Sequence, residues 1–92
     1  MIGQVMTRQQ MAVAVYLHAY QAQNDNMPTH AEIAHAFCVV GNAAYESVQR
    51  LKKIGVIEAT EHHSRYRFAR TPAGLGYRAQ IKAEHLRQGG AA

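Results

Sequence analysis

Met27-Pro28-Thr29-His30-Ala31-Glu32-Ile33-Ala34, with the run from Asn42-Ala43-Ala44-Tyr45-Glu46 to Gly55-Val56-Ile57-Glu58, decides the fold. Thr29-His30-Ala31-Glu32 is a capping box, in which the Thr hydroxyl and the Glu carboxylate each satisfy a free backbone N–H of the other. The helix it opens is short, with Ile33, Ala34 and Phe37 as its inner face, and Cys38-Val39-Val40-Gly41 breaks it. Gly41 is read as the residue that takes the unusual backbone angles of this break, and Asn42 as the cap of the next helix. That second helix runs from about Asn42 to Ile54 and places Ala44, Val48 and Leu51 on its core side. Asn42, Glu46, Gln49 and Lys53 fall on the opposite side. Gly55 ends the helix as a C-cap.

The flanking sequence supplies the other elements. Thr7-Arg8-Gln9-Gln10 is another capping box, opening a helix whose Val13, Tyr16, Leu17 and Tyr20 recur at i, i+3, i+4 and i+7. Asn24-Asp25-Asn26 closes it as a polar turn. Val56-Ile57-Glu58-Ala59 and Tyr66-Arg67-Phe68-Ala69 read as two strands joined through Glu61-His62-His63-Ser64. Thr71-Pro72 begins a last helix, with Leu75, Ala79, Ala83 and Leu86 as its thin apolar seam. The expected architecture is mainly α with a small β-hairpin. It is a winged helix-turn-helix with a three-helix core, a two-stranded wing and an extra C-terminal helix. Residues 1–88 form one domain in this reading, and 89–92 a disordered tail.

Composition narrows the class of function. With 92 residues and 48% hydrophobic content, the chain can bury a core without metal or disulfide staples. A single cysteine rules out an internal disulfide, and nothing points to an oxidising compartment. No apolar run approaches the roughly 20 residues that span a bilayer. The N-terminus has no basic segment followed by an apolar one, so neither membrane nor signal peptide is expected, and the protein reads as cytoplasmic. The net charge of +4 is unevenly spread. Residues 1–49 set Arg8 against Asp25, Glu32 and Glu46, a net of −2, whereas residues 50–70 alone carry a net of +4. That second half offers a basic surface to a polyanion.

An α-helix fits the DNA major groove, and short polar side chains on it read base edges. Asn42, Glu46 and Gln49 suit that task, since Asn or Gln can pair with adenine and Glu can accept from cytosine. Arg50 and Lys53 are better placed for phosphates. Tyr45 flanks the face, towards either a thymine methyl or a backbone oxygen. Arg65 and Arg67 share one face of the hairpin, with His62 and His63 near its tip, and suit the DNA backbone or the minor groove. Thr29 and His30 stand at a helix start, where a phosphate can dock beside the cap. The competing reading is a protein-interaction module or adaptor. Glu46 on the exposed face, which repels phosphate, and the surplus apolar surface support it.

No metal site is expected. His30 and His35 are five residues apart, a poor spacing for one helix face, and no Cys-x2-Cys or His-x3-His pair occurs. Cys38 reads as a small buried apolar residue rather than a nucleophile. No Gly-rich phosphate loop, Ser nucleophile motif or carboxylate pair is present, so neither an enzyme nor a cofactor is expected. Met11, Val15, Leu75 and Leu86 are apolar beyond what one face of each helix needs. They are either plain core or the means by which two copies pair through the first and last helices, setting two reading helices about 34 Å apart on DNA.

Thr7-Arg8-Gln9-Gln10, Pro28-Thr29-His30-Ala31-Glu32-Ile33-Ala34, Asn42-Ala43-Ala44 and Gly55-Val56-Ile57-Glu58 together resemble the DNA-binding domain of the bacterial LexA repressors, in nearly the same order and spacing. The resemblance implies a winged helix-turn-helix that binds double-stranded DNA, and it places Asn42, Ala43 and Glu46 on the base-reading face. Cys38 stands where that family has a turn glycine, and the segment up to Asn42 is about one residue shorter. The Ser/Lys self-cleaving domain of that family has no counterpart here, which implies a different mode of control. Arg70-Thr71-Pro72-Ala73-Gly74 is also similar to the end of the wing in MarR-like regulators, where a final helix supports dimerisation. The function expected is that of a small sequence-selective transcriptional regulator, of a size that suits a bacterial, phage or prophage genome.

Overall fold

A computed structural model describes residues 6–60 and 65–90. The element order is α1 (Arg8–Asn24), α2 (His30–Phe37), α3 (Gly41–Ile54), β1 (Ile57–Ala59), β2 (Tyr66–Phe68) and α4 (Pro72–Arg87). It is the expected winged helix-turn-helix with a further C-terminal helix.

Three threonines start three of the four helices. Thr7 Oγ1 accepts from Gln10 N at 3.1 Å, and Gln10 Oε1 accepts from Thr7 N at 2.9 Å. Thr29 and Glu32 repeat the exchange at 3.1 and 2.8 Å. Thr71 caps α4 by accepting from Gly74 N, with Pro72 at the first helical position where no N–H is needed. Glu32 does a second job: its other carboxylate oxygen accepts from Tyr20 OH at 2.5 Å, tying α2 to α1. The Thr29 backbone N–H, and then the Tyr20 hydroxyl, hold this carboxyl below the usual range.

The helix-turn-helix break differs from the sequence expectation. The left-handed residue is Cys38, at φ 55° and ψ 42°, not Gly41, which is the first residue of α3. Val39 N–H reaches back to Ala34 O at 3.0 Å and Cys38 N–H to His35 O at 3.3 Å. This helix-ending pattern requires left-handed backbone at the residue between, whatever its side chain. Cys38 is exposed rather than buried. Val40, not Asn42, is the N-cap of α3, and it provides no side-chain hydrogen bond. The turn closes early enough that Asn42 already lies inside the helix.

The core gathers Val13 and Leu17 of α1, Ile33 of α2, Ala44, Val48 and Leu51 of α3, Val56, Ile57, Tyr66 and Phe68 of the hairpin, and Tyr77 and Ile81 of α4. Val15 is buried as well and Met11 packs against the same cluster, so both are core. The surplus apolar surface of α1 has a simple cause: the helix packs against both α3 and α4. Gly55, at φ 93°, turns the chain out of α3 into β1. β1 and β2 are antiparallel, with Ile57 opposite Phe68, Glu58 opposite Arg67 and Ala59 opposite Tyr66. Tyr66 OH donates to Pro28 O at 2.8 Å, fixing the wing to the entry of α2, and its burial pushes the phenol pKa up.

The inner face of α4 is also not the expected one. Gly74, Tyr77 and Ile81 are buried, while Leu75, Ala79, Ala83 and Leu86 face outwards. Gly74 sets this rotation. A Cβ there would lie 2.5 Å from Ala69 O, so only glycine lets α4 approach the end of β2 so closely. Residues three and seven positions on then turn inwards with it. Beyond α4, Gly90 N–H donates to His85 O at 2.9 Å.

Candidate nucleic-acid interface

The outer face of α3 carries Asn42, Glu46 and Lys53 exposed and Gln49 half-buried, as its periodicity implied. Its opposite side, Ala44, Val48 and Leu51, is locked into the core, so the polar face cannot rotate independently of the domain. Ala43 is half-buried on one flank, where its carbonyl accepts from Ser47 Oγ at 3.0 Å. Arg50 is exposed on the same flank.

On the other flank, α2 presents its N-terminus. Tyr45 is 51% exposed, and its ring meets His30 edge-on with centroids 5.3 Å apart. Thr29 and His30 are thus brought beside the outer face of α3. The Thr29 hydroxyl already accepts from Glu32 N, so its role in the fold is that of the cap.

The wing separates its two arginines. Arg65 is exposed just before β2, where its carbonyl accepts from Thr60 N. Arg67 is held across the hairpin, its Nε donating to Glu58 Oε2 at 2.7 Å. That bond and the Arg67 charge, followed by the Arg70 backbone N–H and charge, hold the Glu58 carboxyl below the usual range. Sequence alone makes Arg65 and Arg67 equals and misses this pairing, whose signal is the placement of Glu58 and Arg67 in facing strands. His63, with its neighbour His62, lies outside the described residues.

Two features beside α3 also escape a reading of the sequence. Val40 is 72% exposed at the start of the helix. Arg8, in sequence only part of a capping box, lines a groove between the first turn of α1 and the middle of α3, together with Gln9, Ser47 and Arg50. Among the described residues no group of three or more His, Cys, Asp or Glu side chains is arranged to hold a metal ion. No described helix is long and apolar enough to cross a membrane.

The arrangement is a rigid helix with an outward polar face, a second helix N-terminus at one flank and a basic hairpin after it. Those are the parts that DNA-binding winged helices use. Among solved structures the chain is similar to the S. aureus MepR–DNA complex, with a TM-score of 0.60 and 19% identity. The match covers 90% of this chain and 59% of that one, and at such identity it shows a shared fold. No curated protein matches the sequence. The family model for the LexA DNA-binding domain matches residues 3–66, from the approach to α1 into β2. The chain belongs to the LexA DNA-binding domain family.

Proposed function

We propose that the protein is a sequence-selective double-stranded DNA-binding regulator of transcription, bacterial or phage-encoded, that acts without enzymatic chemistry. The outer face of α3 enters the major groove, where Asn42, Glu46 and Gln49 meet base edges. Thr29 and His30 approach the backbone from one side. Arg50, Lys53, Arg65 and, more weakly, Arg67 fix register on phosphates. The observation that carries this reading is the polar face of α3, anchored by Ala44, Val48 and Leu51 and continued by a basic hairpin. The similar MepR structure is of a complex with DNA, which supports the same use of this fold.

A dimer fits this function, formed through α4 rather than through α1 and α4 together. Met11 and Val15 are taken up by the core, whereas Leu75 and Leu86 remain 60% and 53% exposed on one stripe with Ala79 and Ala83. Pairing two copies would join two weak DNA contacts into one stronger one.

Fluorescence anisotropy with a random-sequence duplex at about 50 and 200 mM salt tests the DNA reading, because phosphate contacts release counterions and so weaken steeply with salt. Binding that falls sharply between the two supports it. No binding at the lower concentration would overturn it in favour of an adaptor module.

A further inference from the structure

Resting on the DNA reading above, we propose that Arg8 and Arg50 form a second backbone clamp, gripping phosphates on the strand opposite the one approached by α2. A helix lying in the major groove has a phosphate strand along each side. At about 100° per residue, the face of Asn42, Glu46, Gln49 and Lys53 lies in the arc of α3 between Tyr45 and Arg50. The Tyr45 side of that arc is met by His30 at the start of α2. The Arg50 side opens onto the groove whose far wall is the first turn of α1, with Arg8, Gln9 and Gln10.

Charge and chemistry both suit a phosphate. Arg8 is the only Lys or Arg in residues 1–49, and the fold sets it across a groove from Arg50, the first cation of the basic half. No carboxylate lines the groove. Both arginines are exposed, and among the described residues neither has an ion-pair partner, unlike Arg67 and Arg87. The two arginines line one opening, and Glu46, one turn before Arg50 on α3, is not part of its lining. A phosphodiester supplies the missing negative charge, and Arg binds its oxygens through paired N–H donors. The Gln9 amide and the Thr7 hydroxyl proton provide uncharged donors around the same opening, while the Ser47 hydroxyl is taken by Ala43 O.

The test compares the full chain with R8Q, R50Q and R8K by duplex anisotropy across a salt series, with thermal unfolding as a check of folding. R8Q and R50Q are each expected to weaken binding to random and selected duplexes alike by several-fold, and to lower the salt slope by about 0.9 for each lost phosphate contact. R8K, which keeps the charge, recovers the slope. If the unsubstituted chain binds duplex with a steep salt dependence and R8Q matches it in affinity and slope, the clamp is overturned while the DNA reading stands. If the unsubstituted chain fails to bind, both fall.

Discussion

His18 of α1 and His85 of α4 meet edge to face, their ring centroids 5.1 Å apart, in the seam where the two helices pack. Nδ1 of His18 is buried there without a hydrogen-bond partner among the described residues. The other charged groups acting on His18 are Arg78 and Lys82, both on α4 and both cationic. Arg78 itself lies over the Phe68 ring, 4.1 Å from its centroid, and its Nε is also buried without a partner among the described residues.

This seam predicts a pH dependence. Burial first, and then the charges of Arg78, His85 and Lys82, pull the His18 pKa below its ordinary value. The folded state therefore favours neutral His18. Stability is present above the unfolded-state value of about 6.5 and is lost as pH falls through the lower folded-state value. Thermal unfolding followed from pH 8 down to pH 5 should show the decline. His18→Leu, which removes the titrating group, should flatten it; an equal decline in that variant would place its origin elsewhere.

Cys38 holds the turn between α2 and α3 in left-handed backbone, which costs a non-glycine residue roughly 1–2 kcal/mol. Glycine removes that cost but loses about 0.4–1 kcal/mol through a freer unfolded chain. Cys38→Gly should thus stabilise the domain by about 0.5–1 kcal/mol, read as a higher denaturant midpoint at unchanged slope. A lower midpoint would contradict the assignment of strain to this residue.

Gly74 permits the close approach of α4 to Ala69. Gly74→Ala should destabilise the protein by roughly 1–3 kcal/mol even though alanine favours helix, because the neighbouring group is backbone and cannot swing aside. Denaturation of the purified variant measures this. Gly76→Ala, in the same helix with nothing near its missing Cβ, should be neutral or stabilising and serves as the control.

Glu58 occupies Arg67 in the wing. Glu58→Gln should release that guanidinium and also remove a negative charge, strengthening duplex binding and steepening its salt dependence. Arg67→Gln should cost less affinity than Arg65→Gln. The opposite order in anisotropy would mean that the ion pair opens on DNA.

Much of this fold is legible in local chemistry. The Thr7, Thr29 and Thr71 caps and the alternation of Tyr66, Arg67 and Phe68 are short-range signals, and the structure obeys them. The features that escape depend on partners distant in sequence. Gly41 is the natural choice for a left-handed residue, yet the hydrogen bond from Val39 to Ala34 decides for Cys38. The seam of Leu75, Ala79, Ala83 and Leu86 is as regular as that of Gly74, Tyr77 and Ile81. Only the approach of Gly74 to Ala69, invisible in the helix itself, chooses between them. For the candidate interface, the periodicity of α3 separates its outer face from its core face. Arg8 lies 42 positions before Arg50 and joins it only through tertiary packing.

If the outer face of α3 reads bases, the protein must prefer some duplexes to others, and the preference must depend on the side chains of that face. Selection from a pool of random duplexes, run in parallel with the unsubstituted chain and with Gln49→Ala, puts this to the test. A defined motif is expected for the unsubstituted chain, and for the variant a loss of preference confined to one or two positions within it. An unenriched pool, or the same motif with undiminished preference in both selections, would contradict base reading by α3.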